Sequence, residues 1–385
     1  MRIAFYAPLK SPSHGTPSGD RRVAELLVQA LRQAGHKVEL ASEFRSLDLL
    51  GDAQRQAALR GQGIEFMRQL VARWQCGPAG ERPELWLTYH VYYKAPDWLG
   101  PGVCAALGIP YVIAEASFAP KRAGGPWSIG HEAAREAIAR ADLLLAPTRH
   151  DLECLRPLVA QPERILHLPP FLDGLPFAAA WRARDPLRQQ LAMRHGLDAT
   201  LPWIVVAAMM RAGDKLASYR ELAAALALLA DLPWQLLVAG DGPARAEAAA
   251  PLEAAAPGRL RFLGELAGAD LAAAYAAGDL CIWPAVNEAY GMAMLEAQAA
   301  GVPVVSCALR GVPDVVCDGE TGLLAPPGDP AALAALARCL LLDPARRHAM
   351  GQRAYAWVHS ERSLETAAHR LGQALARVVA HASAH

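Results

Sequence analysis

The chain has 385 residues, 53% hydrophobic and 20% charged, which suits two globular domains of comparable size and excludes a disordered polymer. Lys+Arg and Asp+Glu balance at 38 each, so the basic excess that a polyanion would favour is missing and nucleic acid is excluded as the main partner. The seven cysteines are scattered without a C-x-x-C or a Cys/His cluster at zinc spacing, and the twelve histidines include no H-E-x-x-H, so no metal is expected.

The opening MRIAFYAP reads as a short strand rather than a signal peptide, and residues 8–19 form a loop rich in Ser, Pro and Gly. Residues 20–34 carry a helical apolar face (Val23, Leu26, Leu27, Ala30, Leu31) that stops at Gly35, and residues 38–41 make a second strand. Strand, glycine-containing loop, helix, strand is how a doubly wound α/β domain begins. The loop holds Gly15, Gly19 and Asp20 but no G-x-G-x-x-G, so the dinucleotide fingerprint is missing. Residues 52–75 read as a helix and 85–89 as an apolar strand ending at His90, with Tyr92, Tyr93, Lys94 and Trp98 beyond it. A strand at 111–114 leads into a loop, 115–130, that contains Glu115, Lys121, Arg122 and Trp127. A helix at 131–140 and a strand at 142–146 continue the alternation. Ligands of such sheets bind beyond the carboxyl ends of the strands, so His90, Glu115 and the Gly15–Gly19 loop are expected to line one cleft.

Around residues 168–200 five prolines and no clear strand predict an interdomain connection. A second α/β series follows: a strand at 203–207, a helix at 218–230, a strand at 234–239, Gly240-Asp241-Gly242, a strand at 260–263 and a helix at 269–277. Arg211 and Lys215 stand just past the first of these strands. Next comes WPAVNEAYGMAMLEAQAAGVPVV, in which Met292, Leu295, Ala299 and Ala300 mark one buried helical face and Gly301 and Pro303 stop it. This predicts a helix from near Tyr290, with Glu288 at its entrance and Glu296 roughly two turns inside, on the order of 8–12 Å away. A helix N-terminus favours phosphate, and a carboxylate further along suits sugar hydroxyls, so the layout fits a nucleotide sugar. Two glutamates eight apart also arise by chance on a solvated helix. A proline-led helical tail runs from 330 to the end.

The whole string N-E-A-Y-G-x4-E-A-x-A-A-G-V-P-V-V resembles the E-x7-E segment of retaining glycosyltransferases of family 4. The resemblance implies the GT-B fold: α/β, two Rossmann-like doubly wound domains facing across a cleft. It places an acceptor-side domain at residues 1–175 plus a C-terminal helix at 362–385, and a nucleotide-sugar domain at 185–361. By the same resemblance Arg211 and Lys215 hold the donor diphosphate, Glu288 and the backbone of Ala289, Tyr290, Gly291 and Met292 face sugar and phosphate, and Glu296 takes the ribose hydroxyls. Gly240 and Gly242 lie on the nucleotide side, and His90 stands near the donor sugar and the acceptor hydroxyl. The loop with Gly15, Gly19 and Asp20 faces acceptor and phosphates, and Glu115 occupies a spot where many relatives place another histidine. Glu288, Arg211, Lys215 and His90 are the expected catalytic residues. The chain departs from the family pattern at Leu216, where glycine is usual, in lacking paired glycines in the first loop, and at Asp314, where glutamate is common.

The resemblance implies transfer of a sugar from a nucleotide-sugar donor to a hydroxyl of a glycan, lipid-linked or small-molecule acceptor, with no metal and no cofactor expected. A nucleotide-sugar epimerase of the same fold and a non-catalytic nucleotide-sugar-binding protein are the alternatives. The aromatic residues Tyr89, Tyr92, Tyr93, Trp98 and Trp127 suit stacking on a sugar, and Arg21, Arg22, Lys121 and Arg122 hint at an anionic acceptor, although core packing and a solvated charge run explain them as well. No apolar stretch reaches spanning length, so a cytoplasmic protein is expected, with peripheral contact to the inner membrane face left open.

Overall fold

The structure, a computed structural model, describes residues 1–15 and 18–382. The chain divides into two compact units, Met1–Pro169 with the segment from Leu364 onward, and Pro170–Ser363. The first unit holds β1 (Arg2–Tyr6), β2 (Lys37–Ser42), β3 (Leu85–Val91), β4 (Tyr111–Ala116), β5 (Leu143–Ala146) and β6 (Ile165–His167) in the order β2-β1-β3-β4-β5-β6. The second holds β7 (Trp203–Ala207), β8 (Gln235–Ala239), β9 (Leu260–Gly264), β10 (Leu280–Trp283), β11 (Val304–Cys307) and β12 (Gly322–Ala325) in the order β12-β11-β10-β7-β8-β9. Every pairing in both sheets is parallel.

Strands covered by helices on both faces must be apolar throughout. Phe5 and Tyr6 in β1, Leu85 to Leu87 in β3 and Ile204 in β7 accordingly have no exposed surface. The intervening helices start where a side chain accepts from the first turn: Ser18 takes the Arg21 N–H before helix Gly19–Gln33, and Asp52 takes those of Gln54 and Arg55 before helix Ala53–Cys76. Each sheet winds in both directions from a switch point, between β1 and β3 in one unit and between β7 and β10 in the other. That is where a doubly wound sheet opens a crevice beyond its carboxyl edge. The last helix, Leu364–Ala382, packs on Gly19–Gln33 within the first unit.

The segment read as an irregular connection is regular. Helices Leu175–Arg182 and Arg184–His195 pack on helix Gly268–Ala277 and belong to the second unit. Pro176 and Pro186 sit in first turns, where an N–H has no intrahelical partner to lose, so they start these helices rather than break them. Arg184 and Arg188, one turn apart, then cap the end of the neighbouring helix. They donate to the carbonyls of Ala276 and Gly278 (2.7 and 2.6 Å) and of Ala277 (2.6 Å), and both reach Asp279.

Candidate functional site

In the first unit the residues on either side of the switch point meet. Asp20 lies in the first turn of the helix after β1, and His90 lies in β3. Asp20 Oδ1 is 3.1 Å from His90 Nδ1, and Glu115 Oε1, from β4, is 3.6 Å from the same nitrogen. Both carboxylates face Nδ1, which favours the proton there. His90 and Glu115 have φ of 61° and 59°, in the left-handed region, and sit between the register pairs Tyr89–Ala114 and Val91–Ala116. Ordinary strand backbone would send His90 and Glu115 elsewhere; the paired kinks bring them together. Burial disfavours a charged imidazole, but the Glu115 and Asp20 carboxylates outweigh it and hold the His90 pKa above its ordinary value. Burial likewise disfavours the Asp20 carboxylate, and the His90 hydrogen bond with the nearby charge of Lys10 more than offsets it, so the Asp20 pKa is lowered.

Of the expected glycines in that loop, Gly19 opens the helix and Gly15 lies before it. A Cβ at either would meet no atom within 4 Å, so the packing of the chain itself does not demand glycine there. Thr16 and Pro17, between them, lie outside the described residues.

In the second unit the loops after β7 and β10 flank the switch point. Lys215 is in the first turn of helix Asp214–Ala227, and its ammonium pairs with the Glu288 carboxylate. Both side chains are about one-fifth exposed, at 20% and 21%. The first five residues of the same helix fasten the Glu288 loop at two further points: Ser218 Oγ accepts from Val286 N (3.0 Å), and Asn287 Nδ2 donates to Asp214 Oδ2 (2.9 Å). Lys215 Nζ also lies 5.6 Å from the ring centre of Trp283, at the end of β10. Asp214 and Ser218 carry no motif, and only their spacing, one helix turn apart, could have singled them out; Asn287 opens the N-E-A-Y-G string.

Helix Met292–Ala299 begins two residues later than expected. Gly291, at φ 79°, is the residue before it, so Glu296 stands little more than one turn inside rather than two. The left-handed Gly291 breaks the helical path that Tyr290 would otherwise start. Glu296 is half-buried and its charge reaches the buried Tyr275 hydroxyl, whose pKa rises mainly through burial and secondarily through that charge. Ala289 and Tyr290 lie in the loop, where Ala289 O accepts from Gly311 N (3.0 Å).

Gly240 and Gly242 serve the chain's own backbone. At φ 134° and 151° they let the loop press on the segment after β7, and a Cβ would collide with the Ala208 carbonyl at one and the Met210 carbonyl at the other. Met210 N donates to Asp241 O (2.9 Å) and Ala244 N to Met210 O (2.9 Å), so this loop fixes the strand end from which exposed Arg211 projects. Asp314 is buried in the short helix Val312–Val315.

Residues 202–343 match the family model of Glycosyl transferases group 1. The D-inositol 3-phosphate glycosyltransferase of Kineococcus radiotolerans is 35% identical over 243 residues, covering 57% of this chain and 54% of that protein. The chain spans about half the length of the curated relatives it matches at this level. Among solved structures, sucrose-phosphate synthase from Thermosynechococcus elongatus superposes with a TM-score of 0.70 at 22% identity over 99% of both chains. Anabaena Alr3699/HepE in complex with UDP-glucose gives 0.69 at 18% identity, over 98% of this chain and 100% of that one. These likenesses establish the GT-B fold, and the match over residues 202–343 supports a glycosyltransferase family.

Proposed function

We propose that the protein is a retaining glycosyltransferase of family 4, moving a sugar from a nucleotide-sugar donor to a hydroxyl of a carbohydrate, lipid-linked or small-molecule acceptor. The observation that carries this reading is the Lys215–Glu288 pair at the second unit's switch point, inside the segment that matches the family model. In the reaction the bond between the anomeric carbon and the diphosphate oxygen breaks, and negative charge grows on the leaving phosphate. Arg211 and Lys215 would hold that charge, helped by the backbone N–H groups that open helix Met292–Ala299. Glu288 would take hydroxyls of the donor sugar and Glu296 those of the ribose. The acceptor hydroxyl attacks from the face the diphosphate leaves, and its proton passes to the departing phosphate oxygen, so no separate carboxylate base is needed. His90, with Asp20 and Glu115 behind Nδ1, would hold the acceptor hydroxyl.

We assign no metal and no cofactor to this reaction, and place the protein in the cytoplasm with peripheral access to a membrane face. Among the described residues no helix is long and apolar enough to cross a membrane. The test is a panel of UDP-, GDP- and ADP-sugars, beginning with the UDP-glucose bound by the Anabaena protein. One of them is expected to raise the melting temperature and, with acceptor, to release nucleoside diphosphate in the presence of EDTA. The glycoside formed should keep the donor's anomeric configuration by NMR. Conversion of donor alone to an epimer would replace this reading with an isomerase, and tight donor binding without turnover in the presence of a broad acceptor panel would make it a binding protein.

A further inference from the structure

In the first unit an aromatic ladder runs outward from His90. Ring centres lie 5.1 Å apart from His90 to Tyr92, 5.5 Å from Tyr92 to Tyr93 and 5.6 Å from Tyr93 to Trp127. Two cations cover the far end: Lys94 Nζ is 4.9 Å from the Trp127 ring centre, and the Arg122 guanidinium carbon is 5.4 Å from that of Tyr93. The three outer rings are only half-buried, so ring surface remains within reach of a ligand.

The platform is held from beneath. Tyr93 and Lys94 are the central pair of a tight turn closed by Ala95 N donating to Tyr92 O (3.0 Å). The Lys94 carbonyl accepts from Asp48 N (2.9 Å), and Trp127 Nε1 donates to Asp48 O (3.0 Å). Asp48 and Gln56 are 1% and 4% exposed, and Gln56 Nε2 donates to Asp48 Oδ2 (3.1 Å) and to Pro126 O (2.9 Å). Gln56 Oε1 accepts from Gly130 N (3.1 Å). Two buried, hydrogen-bonded polar side chains thus lock three separate loops into one surface.

The charge along the ladder is polarised, with the carboxylates of Asp20 and Glu115 at the His90 end and cations at the other. We propose that this ladder is an acceptor subsite for a sugar ring bearing an anionic group, phosphate or carboxylate. The anion sits at Lys94 and Arg122, the sugar ring packs into the corner that Tyr93 and Trp127 form with their planes 79° apart, and the reacting hydroxyl lies toward His90. An apolar sugar face suits an aromatic ring, and a guanidinium suits a phosphate or carboxylate. The reversed orientation would set the anion against two carboxylates. This inference rests on the transferase reading above and narrows its acceptor.

The test titrates the protein with glucose 6-phosphate, myo-inositol 1-phosphate and glucuronate, each against its uncharged parent, by calorimetry. At least one anion is expected to bind roughly tenfold or more tightly than its parent, the size of one charge-assisted hydrogen bond. Lys94→Gln/Arg122→Gln should remove that preference while weakening the uncharged parent far less. Absence of any preference in the wild type, or its survival in the double variant, overturns the proposal. Co-sedimentation with phosphatidylinositol in phosphatidylcholine vesicles, compared with phosphatidylcholine alone, separates the sources. Leu49 and Leu50, 63% and 83% exposed next to Asp48, would meet the acyl layer. Vesicle binding lost in the double variant assigns the anion to a lipid headgroup, and binding of the soluble anions alone assigns it to a free sugar. A melting shift with UDP-, GDP- or ADP-sugars reports the transferase reading separately. Its loss with anion preference kept would sink the transferase and leave the subsite standing.

Discussion

Replacing Lys215 with Ala separates structural pairing from transition-state chemistry. The substitution strips the Glu288 carboxylate of its partner at a place where both groups are about one-fifth exposed. Two unit charges ~4 Å apart attract by about 4 kcal/mol at an effective dielectric of 20, and desolvation and lost side-chain entropy offset much of that. A loss of about 1–2 kcal/mol of stability remains, small enough for a folded variant. Catalysis should suffer more, because losing one preorganised charge donor costs about 10²–10³ in turnover, or roughly 2.7–4 kcal/mol. The assay is the initial rate of nucleoside diphosphate release at saturating donor and acceptor, paired with urea unfolding of the same sample. Glu288→Gln serves as the second arm of a double-mutant cycle. If Lys215 touches the diphosphate, Lys215→Ala should lower turnover further in the Glu288→Gln background. Near wild-type turnover in Lys215→Ala, or no added effect in that background, would refute a direct role and leave Lys215 as a prop for Glu288.

Asp20→Asn should make stability less dependent on the His90 proton. The His90 pKa is raised above 6.5, so its contribution is complete below about pH 6.5 and fades as pH climbs through the folded value. The Asp20 pKa is lowered from 3.8, so its contribution is present above that value and fades as pH drops through the folded one. The penalty of Asp20→Asn in urea midpoints should therefore be greatest between about pH 4 and 6.5 and shrink near pH 9, and the His90 ring signal should titrate at lower pH; a pH-independent penalty would contradict the pairing. Gly240→Ala should cost about 1–3 kcal/mol or more, because the new methyl group meets the Ala208 carbonyl at a φ of 134°, and it should weaken donor response by displacing the Arg211 loop; a fully stable variant in chemical denaturation would speak against that close approach.

Both doubly wound sheets were legible because parallel strands covered on both faces print as apolar runs, as in Ile3 to Tyr6 and Trp203 to Val206. The strand ends were legible for the same reason, which set His90 and Glu115 at them and Arg211 and Lys215 shortly past β7, while the roles expected of these residues came from the family resemblance. Helices Leu175–Arg182 and Arg184–His195 were missed because prolines in first turns look like breakers until the neighbouring helix that Arg184 and Arg188 cap is known. The start of helix Met292–Ala299 was misplaced because apolar spacing says nothing about φ, and Gly291 decides it. Asp48 and Gln56 gave no signal at all. Their partners are the Lys94, Pro126, Trp127 and Gly130 loops, far along the chain, and only the fold brings those together.

Left-handed backbone at residues other than glycine marks the same places. His90, Glu115, Ala285, Asn287 and Arg310 have positive φ, and each such position costs about 1–3 kcal/mol unless its surroundings compensate. Folding alone would be served as well by glycine at any of them. At 90 and 115 glycine would relieve the strain but delete the imidazole and the carboxylate that the kinks bring to one nitrogen. At 285 and 287 the strained residues bracket the turn that turns Glu288 onto Lys215, with Asn287 tied to Asp214 and the Glu288 N–H donated to Ala285 O at 3.0 Å. Arg310 belongs with this second group, since its neighbour Gly311 donates to Ala289. The strain is thus spent where side chains must converge beyond the strands, and the two clusters stand at the two switch points where a doubly wound sheet takes its ligand.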